Sequence, residues 1–154
     1  MTRYASQTTV SQEKSRAEIE TTLRRYGASS FLYASNPESA VVGFIIGGRQ
    51  VRFILPMPDP QDRAFTHHSR GVRTASAAYE QWEQAGRQRW RALALVIKAK
   101  LEAVSAGITT VEDEFLAHTV LPDGSTVGQW AKPQLAVAYE QGRMPDGFLL
   151  EGPK

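Results

Sequence analysis

A chain of 154 residues with 42% hydrophobic and 22% charged content fits one domain that buries about two-thirds of its unfolded surface, far from the disordered or fibrous classes. It has no cysteine, which excludes disulfides, thiolate metal sites and cysteine nucleophiles. The net charge of +2 hides an asymmetry: residues 1–108 carry 15 Lys and Arg against 9 Asp and Glu, whereas residues 109–154 carry 3 against 7. A basic body attracts polyanions through counterion release and steering, and an acidic end masks that face or meets another partner.

The start lacks an apolar run, and no stretch approaches the roughly 18 apolar residues of a membrane span, so a soluble, cytoplasmic protein is expected. Residues 1–10 are expected to be a flexible N-terminus, 11–145 a single α+β domain and 146–154 a flexible end.

Ser11 reads as an N-cap, and Ile19, Leu23 and Tyr26 fall at helical spacing up to Gly27, which predicts a helix over about 12–26. Next come Phe31-Leu32-Tyr33-Ala34, a turn at Asn36-Pro37-Glu38-Ser39, and two runs rich in β-branched and aromatic residues around Gly47-Gly48. Three antiparallel strands follow. A two-residue loop at either Gly47-Gly48 or Gly48-Arg49 puts Val42, Phe44 and Ile46 on one face with Val51, Phe53 and Leu55. The other face holds Val41, Gly43, Ile45, Gln50, Arg52 and Ile54, mixed enough that part of it is expected to be covered.

Residues 57–75 read as a long basic loop containing Arg63, Phe65, His67, His68, Arg70 and Arg73; loops of this length in compact domains are functional or disordered. A long amphipathic helix then runs from roughly Ser76 to Ala106. Tyr79, Trp82, Gly86, Trp90, Leu93, Ile97, Leu101 and Val104 advance by three or four residues and form one stripe, with Trp82 and Trp90 expected to be mostly buried on the sheet. With Trp90 at zero, Arg87, Arg91 and Lys98 lie at about 60°, 100° and 80°, and Arg89 and Lys100 lie on the opposite flank. Such rows either snorkel around a buried stripe or track phosphates. After Gly107, Thr109-Thr110-Val111-Glu112 reads as a capping box opening a short helix to about Thr119, Pro122-Asp123-Gly124-Ser125 as a turn, and Pro133–Gln141 as a last helix after a helical turn at Thr126.

Arg49, Arg52, Arg63, Arg70, Arg73, Arg87, Arg91 and Lys98, with Phe65, Tyr79 and Trp82 as stacking candidates, would form a groove for single-stranded nucleic acid if they converge, since charge follows the backbone while rings stack on bases. His67, His68, Glu114 and His118 are weak metal candidates, because adjacent histidines rarely aim at one ion. No phosphate-binding, dinucleotide-binding or nucleophile-elbow motif is present, so the sequence offers no support for an enzyme and implies no cofactor.

The segment Arg87-Gln-Arg89-Trp90-Arg91-Ala-Leu-Ala-Leu-Val-Ile-Lys98-Ala-Lys100-Leu-Glu-Ala-Val, with Glu114-Phe-Leu-Ala-His118 and Leu121-Pro-Asp-Gly-Ser-Thr-Val, resembles small uncharacterised proteins of tailed bacteriophages and prophages, over most of the chain from about Ser11 to Pro145. The resemblance implies a phage setting and carries no catalytic residues. Within that setting the expectation is a non-catalytic protein binding or annealing single-stranded DNA. The alternatives are a protein-interaction module, such as an oligomeric inhibitor of a host defence, and a metal-dependent enzyme. The element order is also similar to that of double-stranded RNA-binding domains and of phage single-strand annealing proteins, an analogy of order only; the lysine-rich helix start of the former is replaced here by Ala75-Ser76-Ala77-Ala78-Tyr79.

Overall fold

The computed structural model describes residues 5–144. Helix α1 spans Gln12–Arg25, and Ser11 Oγ accepts from the Lys14 N–H as the N-cap. It ends where Gly27 turns to φ +91°, with the Ala28 N–H reaching back to the Leu23 carbonyl. Strands β1 (Ser29–Ser35), β2 (Ser39–Ile46) and β3 (Arg49–Pro56) form one antiparallel sheet in that order. Ile46 pairs with Arg49, leaving Gly47-Gly48 as the two-residue loop, both at positive φ (57° and 73°) as a type I′ turn requires. The register sets Phe44 opposite Val51 and Val42 opposite Phe53. All of the expected inward residues are buried except Leu55, which is partly buried.

A one-turn helix and one two-stranded hairpin occupy the segment expected to be a long loop. Helix α2 (Arg63–Thr66) is followed by strands β4 (His67–His68) and β5 (Gly71–Val72), which pair as a miniature hairpin. Asp62 caps α2 at its start through the Ala64 N–H, and Arg73 reaches back to the Ala64 and Phe65 carbonyls at 2.8 and 2.9 Å. Local side-chain to backbone bonds thus supply the order that hydrophobic periodicity does not.

The long helix, α3, spans Ala75–Ser105 and begins at Thr74, whose hydroxyl accepts from the Ala77 N–H. It lies beside α1 over the inner face of the sheet. Gly86 sits against Gln12, Arg91 bonds Glu18, and the Tyr26 hydroxyl donates to Glu102, so the two helices run in the same direction. Trp90, Leu93, Ala94, Ile97 and Leu101 enter a common core with Ile19, Leu23, the sheet residues and Phe115. Fully burying each large side chain contributes on the order of 1.5 to 3 kcal/mol. The Ser15 hydroxyl is buried between the helices without a hydrogen-bond partner. The expected stripe is buried from Gly86 to Leu101, and its last member, Val104, is partly buried. Tyr79 is 56% exposed and Trp82 half-buried, its indole N–H donating to the Pro58 carbonyl. The start of the chain also lies on this helix: Ala5 is buried, and Gln84 donates to the Ser6 and Thr8 carbonyls.

After α3, helix α4 (Val111–Glu114) and a 3-10 turn (Leu116–His118) replace the single short helix expected there, with Thr110 rather than Thr109 as cap. Val120 donates to the Gln50 carbonyl and Thr119 bridges Val51, so this segment covers the first residues of the free edge of β3. The turn at Pro122–Ser125 carries Gly124 at φ +86° and receives the Arg52 guanidinium on its carbonyl, which covers one end of the outer sheet face as expected. Helix α5 then runs unbroken over Val127–Gln141, with a capping box between Thr126 and Gln129, to Gly142 in the left-handed region. The break expected at Pro133 does not occur. Proline removes one rung of the ladder, and the cap and flanking turns carry the helix across the gap. The flexible end expected over 146–154 lies outside the described residues.

Candidate functional site

The cations singled out from the sequence fall into three groups rather than one groove. Arg63, Arg70 and Arg73 belong to the 57–74 segment, where α2 packs against α3 and the Pro58 carbonyl accepts from the Trp82 indole. Arg73 is occupied in holding the end of α2, while the guanidinium groups of Arg63 and Arg70 make no hydrogen bond or ion pair with another described residue. Phe65 is half-buried; Tyr79 packs on Trp82 with ring centroids 5.7 Å apart and donates to Glu83.

Arg87, Arg91 and Lys98 lie along the seam between α3 and α1, where acidic residues meet them. Arg87 donates to Gln84 Oε1 at 2.6 and 3.0 Å and stands 3.8 Å from Glu83; Arg91 is paired with Glu18. Lys98 is the exposed member of the row and shares a narrow cleft with Glu18, Thr22 and Arg91. The angular spacing read from the sequence is correct. Glu18, which neutralises Arg91, sits on α1 and could not be seen from α3 alone, whereas the Glu83–Arg87 pair is an i, i+4 contact within α3 itself.

Arg49 and Arg52 stand at the other end of α3, near α4. Arg52 donates to the Gly124 carbonyl at 2.8 Å, and its Nε is buried without a partner. Arg49 lines an open groove of about 650 Å³ together with Gln50, Glu112, Leu116, Leu121 and Val127.

The four metal candidates separate into two pairs. His67 is half-buried with Nδ1 2.8 Å from the Thr66 hydroxyl, and exposed His68 accepts the Arg70 N–H on Nδ1. His118 instead stacks on Phe53 with centroids 4.0 Å apart, and Lys100 holds the Glu114 carboxylate and carbonyl. No group of three His, Cys, Asp or Glu that could hold a metal ion forms among the described residues. Burial, then the positive charges of Lys100 and Lys132, push the His118 pKa below its ordinary 6.5, against an opposing hydrogen bond to the Arg52 backbone. The unfolded chain therefore takes up this proton first, so the contribution of His118 to stability is complete above pH 6.5 and declines as pH falls toward the folded pKa. Urea unfolding on either side of pH 6.5 should show that decline, and His118→Gln should flatten it; an identical pH slope in the variant would remove His118 as its source.

The surface that sequence reasoning passed over is α5. None of its 15 residues is buried, and it exposes Trp130 (47%), Leu135 (50%), Val137 (40%) and Tyr139 (87%). Its first turn docks on the 3-10 turn, where the Val127 N–H donates to the Thr119 carbonyl and Gly128 lies against the Ala117 carbonyl. A Cβ at Gly128 would stand 2.9 Å from that backbone oxygen, closer than real contacts allow. Gly128→Ala should loosen α5 from the body by about 1 to 3 kcal/mol, read as faster amide exchange over residues 127–141. Unchanged protection there would mean that this contact does not hold the helix. A second uncovered surface is the outer sheet face, where Leu32, lying over Gly43, is exposed together with Ile45 and Ile54.

Comparison with protein-family models, with curated proteins and with solved structures finds no match to this chain. Among the described residues no helix is long and apolar enough to cross a membrane.

Proposed function

We propose that the protein is an interaction module that docks a protein partner along α5. The supporting observation is that none of the residues of this 15-residue helix is fully buried and that exposed Leu135 and Tyr139 line one open groove with Met144 just beyond its end. Contiguous exposed apolar surface on a folded domain marks an interaction site, and exposed tyrosine and tryptophan are typical anchors of one. The resemblance to phage proteins makes bacterial or phage proteins the pool of partners, a host-defence component among them. The test compares wild type with Leu135→Lys/Tyr139→Lys, both in capture from nuclease-treated bacterial lysate and in solution mass. The double variant should keep its fold, because neither side chain is buried, and lose whatever the wild type binds. Equal behaviour of the two proteins in both assays would defeat the reading.

Nucleic-acid binding is the second reading, favoured by Arg63 and Arg70, whose guanidinium groups have no partner among the described residues, in the segment that also holds Phe65 and packs on α3. It requires binding to single-stranded DNA that weakens steeply with salt and drops in Arg63→Ala/Arg70→Ala. Fluorescence anisotropy showing no binding at low salt to single-stranded DNA, duplex DNA or RNA would end it.

A further inference from the structure

Helix α5 contains just two charged side chains, Lys132 and Glu140, among its 15 residues. Both are exposed, and neither makes a hydrogen bond or ion pair with another described residue. They have opposite signs and lie one turn to either side of Ala136, so the three residues form a single stripe at i, i+4 and i+8. Exposed Tyr139 and Leu135 flank this stripe.

We infer that the occupant of this face is a second copy of the chain, with the two α5 helices antiparallel and crossing at Ala136. The inference rests on the reading of α5 as a docking surface and names its partner. A two-fold pair is self-complementary: residue i of one copy faces j of the other, and j faces i. With the axis at Ala136, Lys132 of each copy lies beside Glu140 of the other, so the four charges form two ion pairs across the interface. The small Ala136 side chains let the helices approach closely, and each Tyr139 ring covers the partner's stripe next to Ala136. A parallel pair would instead set Lys132 against Lys132 and Glu140 against Glu140. The charge order therefore selects the antiparallel arrangement and disfavours the parallel one.

A helix of 15 residues is about 22 Å long, enough for a modest, concentration-dependent dimer rather than an obligate one. Sedimentation equilibrium of the purified protein at low salt tests it. The wild type should approach twice the chain mass as concentration rises. Lys132→Glu and Glu140→Lys should each weaken the dimer about tenfold, since either change places like charges across both contacts, and combining them should restore it. Melting midpoints equal to wild type would confirm that the single variants fold. A wild type that stays monomeric, a dimer indifferent to either reversal, or a double variant as dissociated as the singles would each overturn the inference. A monomeric wild type that still captures a lysate protein through Leu135 and Tyr139 would overturn the self-pairing and keep the docking function.

Discussion

Phe115→Ala should lower the stability of the protein by about 3 to 5 kcal/mol, measured by urea unfolding. Phe115 is 1% exposed and meets Phe44 and Phe53 edge-on, with centroids 5.7 and 6.1 Å apart. Truncation would remove both edge-to-face contacts and open a cavity between the sheet and the C-terminal segment. Phe115 is also the side chain that buries the chain between α4 and the 3-10 turn, so its loss should release Val120 from the edge of β3. Exchange of the Val120 amide, bonded to the Gln50 carbonyl at 2.8 Å, should accelerate beyond the global effect. A loss below about 1 kcal/mol would show that the C-terminal segment is not part of the cooperative core.

Ile97→Ala and Tyr79→Ala should diverge, although both residues stand on the same stripe of α3. Ile97 is fully buried between α1 and the sheet, and its truncation should cost about 2 to 5 kcal/mol. Tyr79 is 56% exposed, and its truncation should stay within about 0.5 kcal/mol. Comparable losses at the two positions would mean that the first two turns of α3 are as deeply packed as the rest.

That divergence shows what the sequence could and could not reveal. Hydrophobic period, the Ser11 and Gly27 stops and the glycines at 47 and 48 each act locally, so α1, the three strands, the inner face of the hairpin and α3 were all legible, while the hairpin register stayed open between two loops that give the same face. How much of α3 would be buried was not, because that depends on the relative lengths of the elements. Strands of eight residues span about 26 Å, while a helix of 31 residues spans about 46 Å. The overhang carries the 57–74 segment instead of the sheet. Its order comes from Asp62 and Arg73 bonding backbone groups, which leaves no periodic signal. Phe115 was equally silent, a lone aromatic beside Glu112-Asp113-Glu114 in a helix too short to show a period.

The candidate site was harder to read for a related reason. Spacing gives the direction of a side chain and not what awaits it there. Arg91 points where the sequence implies, yet Glu18 of α1 is there to meet it; only the Glu83–Arg87 pair, four residues apart on α3, could be read from spacing. Helix α5 escaped notice in the opposite way. Its apolar residues are distributed around much of its circumference, so nothing in the pattern distinguishes a helix awaiting a partner from one enclosed in a core.

The parallel seating of α1 on α3 also sets the pace of folding. The ties between them join residues far apart in the chain: 73 positions from Glu18 to Arg91 and 76 from Tyr26 to Glu102. The hairpin of β2 and β3 can zip from its own turn, whereas the core closes only after a loop of that size has been brought together, at an entropic cost met before any packing is gained. A nascent chain ending before α3 would thus hold a formed hairpin whose inner face, Val42, Phe44 and Phe53, is still open to water. Synthesis must deliver α3 before that surface finds another chain.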